Sequence, residues 1–322
     1  MKSLVLAFAL VAVLLSACGG ATLAPSSTPS KPSPPPQTVT VATPSKSLSQ
    51  LPLYVAIQRG FFKELGLDVQ LKEMAPPAQV AAVAAGEVDY TTAIGSSVQA
   101  AARGLPVKTV LALAGKTQHV LVASKSITSV KQLAGKTVGI SARGSTTERE
   151  LQVVLGQNGL TEQSVQILAL GDSANTVAAM QAGRIDATVL PVPDNFVAEK
   201  EAGGHTLVNI AEVMDAPLSG LSTSDKRLHD QPDQIVALIK GALKGTAYIK
   251  ANKTEAVALI AQFTAIDAAT ASQAYDLVRD TYADTGIVSD DAIRNTIVDQ
   301  QAAAALSPSQ VVDWTFAKRA QG

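Results

Sequence analysis

Cysteine is almost missing from this chain, with one, Cys18, among 322 residues. No internal disulfide can form, and no metal site can be built on thiolates. Histidine is nearly as scarce. His119, His205 and His229 stand far apart, none with a second His or Cys at ligand spacing, so no metal is expected. Aromatic residues make up only 4%, leaving Ala and Val to supply the apolar bulk. Neither sign of charge dominates, since 26 Lys and Arg oppose 27 Asp and Glu for a net charge of -1; a nucleic-acid binder would need a basic face. There is no G-x-S-x-G nucleophile elbow and no P-loop. The serines of Gly95-Ser96-Ser97 and Gly144-Ser145 have no histidine at a predictable place, and helix capping or ligand hydrogen bonding accounts for them. What is left is binding of a small molecule, without catalysis, cofactor, metal or nucleic acid.

The chain does have 47% hydrophobic residues, enough to bury the core of one large or two medium domains. Its first residues stand apart from that core. Lys2, an apolar run over 4–15 and the small residues after it read as a secretory leader over 1–17, because the run is shorter than the roughly 20 residues a spanning helix needs. Leu15-Ser16-Ala17-Cys18 resembles a bacterial lipobox, which implies cleavage before Cys18 and a diacylglyceryl thioether on its sulfur. Residues 18–37 are rich in Ser, Pro, Thr and Ala, with Pro34-Pro35-Pro36 near the end. Such a segment buries too little to fold and is expected to be an extended tether that holds a globular part near a membrane.

The globular part is organised around 133–155, LAGKTVGISARGSTTERELQVVL. Thr137-Val138-Gly139-Ile140 alternates β-branched and small residues, as a buried strand does. Ser145 stands three residues before Glu148, the spacing of a capping box, so a helix is expected from Thr146. Its first-turn amides, the neighbouring hydroxyls and Arg143 converge where a negatively charged or hydrogen-bond-accepting ligand would be held. The plan occurs twice. Strand 38–42, helix 51–58, strand 67–71, helix 79–85 and strand 88–94 are followed by strand 138–141, helix 146–157 and strand 165–170. The tag Ala85-Gly86-Glu87-Val88-Asp89-Tyr90-Thr91 matches Ala182-Gly183-Arg184-Ile185-Asp186-Ala187-Thr188. Its glycine ends a helix, its Val or Ile begins a strand, and its Asp reads as a turn residue. Two βαβ-type lobes with mainly parallel sheets follow.

Ligands of such sheets sit beyond the carboxyl ends of the strands. That rule directs 44–48 and Gly95-Ser96-Ser97 of one lobe, and 142–147, 171–175 and Pro191-Val192-Pro193 of the other, at a common cleft. Asp172 reads as a helix cap. Residues 218–223 are expected to cross back to the first lobe. Helices are expected over 233–250, 254–263, 267–282, 290–305 and 308–319, with apolar stripes such as Ile235, Leu238, Ile239, Ala242 and Leu243 turned to the core.

In this order, Pro52-Leu53-Tyr54-Val55-Ala56, Gly60-Phe61-Phe62, Gly66-Leu67-Asp68-Val69, the two tags, Leu133-Ala134-Gly135-Lys136-Thr137-Val138-Gly139 and Gly144-Ser145 resemble the substrate-binding proteins of ABC importers. The nitrate, sulfonate and taurine type, which includes binders of thiamine pyrimidine precursors and aromatic acids, is the most similar branch, and the resemblance spans 38–263. It implies an α/β, type II periplasmic-binding-protein fold: two βαβ lobes around a cleft, joined by crossover segments near 118–122 and 214–222. Lobe I would be discontinuous, 38–118 plus 219–322, and lobe II would be 119–218. Carried over by position, the implied ligand contacts are Ser45, Lys46, Ser47, Leu48, Ile94, Gly95, Ser96, Ser97, Gln118, Arg143, Gly144, Ser145, Thr146, Thr147, Ser173, Ala174, Pro191, Val192 and Pro193. Without a second fixed cation in the cleft, a carboxylate or neutral heterocycle suits these contacts better than a strongly charged sulfonate.

The implied function is capture of a small anionic or aromatic/heterocyclic solute by lobe closure. A monomeric lipoprotein, anchored at Cys18 on the outer face of the cytoplasmic membrane or in the periplasm, would deliver it to a permease driven by a cytoplasmic ATPase. Two alternatives stay open. One is a sensor lipoprotein that docks on a signalling receptor; the other is an enzyme like the fungal thiamine-pyrimidine synthase, whose cysteine-rich iron-linked motif is absent here.

Overall fold

The first repeat builds one sheet from β1 (Gln37–Thr43), β2 (Leu67–Glu73) and β3 (Tyr90–Thr91), with α1 (Leu51–Gln58), α2 (Pro76–Ala85) and α3 (Ile94–Ala102) as connecting and following helices. β1 pairs in parallel with both β2 and β3, as helical crossovers require. After β4 (Val107–Ala114) the chain crosses through 115–118 and starts a second sheet as β5 (His119–Ser124). That sheet is completed by β6 (Thr137–Ile140), α4 (Thr146–Gln157), β7 (Gln166–Ala169), α5 (Ser173–Gln181), β8 (Ala187–Pro191), α6 (Asp194–Glu201) and β9 (Gly204–Asn209). A second crossing, 210–218, leads back to the first sheet as β10 (Ser219–Ser224). The computed structural model describes residues 35–44, 47–297 and 299–322. The expected leader over 1–17, the lipidation site Cys18, the tether up to residue 34, and Ser45 and Lys46 lie outside the described residues.

The strand orders are β2-β1-β3-β10-β4 and β7-β6-β8-β5-β9. In each sheet the fourth strand is the one delivered from the other lobe, and it runs antiparallel to both neighbours. The fold is therefore two α/β lobes joined by two crossings, the type II periplasmic-binding-protein arrangement. One consequence matters for the site. Because β5 opposes β8 with His119 across from Pro191, β5 begins at the cleft, where the parallel strands end.

The duplicated tag has a structural meaning beyond a turn. The carboxylate of Asp89 accepts the Thr40 amide at 2.7 Å, and the Asp89 amide donates back to the Thr40 carbonyl at 3.1 Å. In the other lobe, Asp186 accepts the Thr137 amide at 2.9 Å and donates to the Thr137 carbonyl at 2.8 Å. Each aspartate thus latches the strand that follows it to the first parallel strand of its own sheet, 49 residues away in both lobes.

The remaining helices are α7 (Asp225–Asp230), α8 (Pro232–Ala251), α9 (Lys253–Thr264), α10 (Ala268–Val278), α11 (Asp290–Asn295), α12 (Gln300–Ala305) and α13 (Thr315–Gln321). On α8 the expected stripe is buried at Ile235, Leu238, Ile239 and Ala242, which expose nothing, while Leu243 at its edge is half-buried. Gly245 lets α8 approach α1 closely, since a methyl group there would lie 2.2 Å from the Pro52 carbonyl oxygen. Among the described residues no helix is long and apolar enough to cross a membrane.

Several expected elements are shorter or broken. Strand 88–94 is paired only at Tyr90–Thr91. The Thr91 hydroxyl accepts the Ala93 amide at 3.0 Å and turns the chain, so α3 starts at Ile94 and Gly95-Ser96-Ser97 form its first turn. Helix 267–282 stops at Val278 and ends in a 3-10 turn, Arg279–Thr281. Helix 290–305 is two helices, because Asp299 accepts the Gln301 and Ala302 amides and caps a new one. Helix 308–319 is a 3-10 turn, Pro308–Gln310, and a bridge from Val312 to Thr109 beside β4, before α13 begins. The crossings come earlier than expected, since 119–124 and 219–224 are already strand.

Candidate functional site

The Ser145 half of the expected capping box forms, and the Glu148 half shifts by one residue. Ser145 caps α4 by accepting the Glu148 amide at 3.4 Å, and its hydroxyl donates to the Ala142 carbonyl at 2.6 Å. The Glu148 carboxylate reaches back to the amide of Gly144, one residue before the cap. Gly144 has a φ of 74°, a conformation suited to glycine. Thr147 is buried with its hydroxyl 2.9 Å from both Ser141 and Ser145. Arg143 donates to Glu148 at 2.6 Å and stands 3.5 Å from Glu162, so two carboxylates already compensate its charge.

Thr146 opens α4 and faces the other lobe. A methyl group placed on Gly95, in the first turn of α3, would lie 3.9 Å from the Thr146 hydroxyl. Two uncrowded helix starts therefore meet across the cleft, each offering first-turn amides. Behind them, the recess bounded by Gly95, Thr117, Thr146, Arg149, Glu150 and Asn295 has an interior of about 10 Å³, about the space of one water, and Arg149 is a cation there that the sequence reading did not expect.

Other expected contacts border the same region. Ser47 caps the turn leading into α1, and the Leu48 carbonyl accepts the Tyr282 hydroxyl at 2.8 Å. Ile94 is buried, as is Ser97, whose hydroxyl has no partner among the described residues, while Ser96 is half-buried in the same turn. Gln118 sits on the crossing, its side-chain amide donating to Thr281 at 2.8 Å and its backbone carbonyl accepting the Val192 amide at 2.9 Å. Pro191 ends β8, Val192 is buried, and Pro193 follows a cis peptide to begin α6. Asp172 caps α5 at the Asn175 amide, 2.8 Å away. Ser173 hydrogen-bonds Asp194, and Ala174 is exposed beside it.

The sequence reading missed the charged centre of this wall. Glu150 exposes nothing; it accepts the buried Thr117 hydroxyl and lies 2.7 Å from His119 Nδ1. Burial opposes a charge on His119, but Glu150, and Asp194 farther off, raise its pKa above the usual histidine value. Asp194 is itself raised by burial, against the hydrogen bond from Ser173 and the charge of His119. One signal was present in the sequence. Glu150 is four residues after Thr146 on the same helix face, and Thr147, Leu151 and Val154 around it are buried, a register where a carboxylate is rare without a partner.

Thr117 donates to Glu150 and not to the imidazole, so this cluster lacks the hydroxyl–imidazole pair that generates a nucleophile. Among the described residues no group of three or more His, Cys, Asp or Glu is placed to hold a metal. The arrangement suits recognition by hydrogen bonding and charge.

Comparison with known proteins agrees with this geometry. The family model described as NMT1/THI5 like matches residues 48–256. The chain is 27% identical over 273 residues to the riboflavin-binding protein RibY of Chloroflexus aurantiacus, covering 79% of this chain and 76% of that protein. The periplasmic aliphatic sulphonate binding protein SsuA from Escherichia coli is similar in structure, with a TM-score of 0.72 at 18% identity over 86% of this chain and 90% of that one. The periplasmic nitrate-binding protein NrtA from Synechocystis PCC 6803 gives 0.72 at 11% identity, over 88% of each chain. The structural likenesses establish the fold, and the sequence match over 48–256 goes further: the chain belongs to the NMT1/THI5-like family.

Proposed function

We propose that this chain is the solute-binding component of an ABC importer, held outside the cytoplasm by a lipid on Cys18. It captures one small solute between lobes I (38–118 plus 219–322) and II (119–218) and delivers it to a permease powered by a cytoplasmic ATPase. The observation that carries this reading is the meeting of Gly95 and Thr146 across lobes joined by two crossings. Relatives named for binding riboflavin, sulfonates and nitrate support it. With room for about one water behind that seam, the lobes must part to admit a solute. A solute then favours closure only by the difference between its affinities for the closed and open states. Glu150 and Asp194 share the lobe II wall with His119 and Arg149, so that wall carries charge of both signs.

The test is a thermal-shift screen of the mature protein across flavins, pyrimidines, amines, aromatic carboxylates, sulfonates and nitrate, with turnover followed in parallel. A ligand at 100 times its Kd adds about 2.7 kcal/mol, which for a chain of this size is a rise of about 4 °C. A rise with one solute class, without product, is expected. No response to any class, or conversion of the solute, overturns the reading. In cells, Cys18→Ser should move the protein from the membrane to the soluble fraction.

A further inference from the structure

A groove of about 350 Å³ lies between α5 and α6, within the range of small-molecule sites and far larger than the recess at the seam. Its mouth is formed by Ser173 and Asp194, the first residues of helices that follow β7 and β8. It therefore opens at the carboxyl ends of the second sheet, where the other expected contacts lie. On α6, Asp194, Val197 and Glu201 are spaced i, i+3 and i+7, which puts them on one stripe. On α5, Ala174, Val177 and Ala178 supply the facing wall. The groove is apolar along its length with a carboxylate at each end, the two separated by about 10 Å at 1.5 Å per residue. Val197 is 38% exposed, an unusual position for a large apolar side chain.

The charges around the mouth fix the sign of what it can hold. Asp194 is half-buried with the Ser173 hydroxyl beside its carboxylate, and an ionised carboxylate offers about four acceptor positions. Asp194 and Glu201 are the charged residues that line the groove, and no cation is among the described residues lining it. Arg143 is occupied by Glu148 and Glu162. An anionic head placed at the mouth would meet like charge, which costs affinity, while a nitrogen donor would hydrogen-bond to the Asp194 carboxylate.

Resting on the solute-binding reading, we propose that the solute presents a protonated nitrogen to Asp194 and lays an apolar arm in the groove between α5 and α6. The class is an amphiphilic amine, and Asp194 and Ala178 decide its specificity from the two ends of the contact.

The experiment is calorimetric titration of the full mature chain with n-alkylamines from butyl to octyl and with alkanesulfonates of matched length. Amines are expected to bind, with affinity rising about fourfold per added methylene until the chain outruns the groove. Asp194→Asn should weaken amine binding at least tenfold. Ala178→Leu, at an exposed position, should abolish the dependence on chain length. Melting curves check that both variants are folded. Sulfonates binding more tightly than amines, no amine binding, or amine affinity unchanged in Asp194→Asn would each overturn the proposal. Any of these alongside a response to another class in the wider screen leaves the importer reading standing. No response to any solute removes both.

Discussion

The pair formed by Glu150 and His119 gives the sharpest test of the site's electrostatics. Glu150→Gln keeps the side chain's shape and an acceptor for Thr117 but removes the charge that holds the imidazole proton. Removing one partner of a buried ion pair costs about 3–5 kcal/mol, and the retained acceptor puts this case near 3. The sign with pH follows from the raised pKa of His119. Its contribution is fully present below the unfolded value of about 6.5 and is lost as pH rises through the higher folded value. In the variant, burial works against the charged imidazole without Glu150 to oppose it. The stability gap between wild type and variant should be widest near pH 5.5 and should shrink by pH 9. Urea unfolding of the solute-free protein at both pH values, with two probes to confirm a single transition, measures it. A gap that is equal at the two pH values, or wider at pH 9, would refute the assignment of a charged His119 bound to Glu150.

Two further outcomes follow from the latches and the cap. Asp89→Ala should destabilise more than Asp186→Ala, by about 2 against 1 kcal/mol, because Asp89 also pairs with the half-buried Arg227 while Asp186 is more exposed; denaturant midpoints of the two variants decide it. Ser145→Ala should cost about 1 kcal/mol through the lost cap and weaken solute binding, measured by unfolding and by titration with the solute found in the screen; an unchanged affinity would move Ser145 out of the contact set.

Much of this architecture could be read from the sequence because it is local. The Thr137–Ile140 strand, the Ser145 side-chain cap and the glycines that end the tag helices each depend on a few neighbouring residues, and these take the expected form. The breaks in the C-terminal helices were hidden because alanine-rich segments such as 300–305 fit a helix on either side of a cap. The charged cluster was hidden for a different reason. His119, Glu150 and Asp194 come from three elements, and only the insertion of β5 beside β8 brings them to one end of the sheet. No spacing along the chain encodes that. Arg143 shows the converse: its position suggested a ligand contact, but Glu162, 19 residues away, shares it with Glu148.

The aspartate latches bear on how the molecule can bend. Thr40 with Asp89 and Thr137 with Asp186 each fasten a strand within one sheet and none across the gap, so swinging the lobes apart breaks neither fastening. Flexure is left to 115–118 and 210–218, where tightness of the joint and stiffness of the lobes become separately adjustable. A substitution at a latch would loosen a lobe and leave the joint's travel alone; one in a crossing would do the reverse.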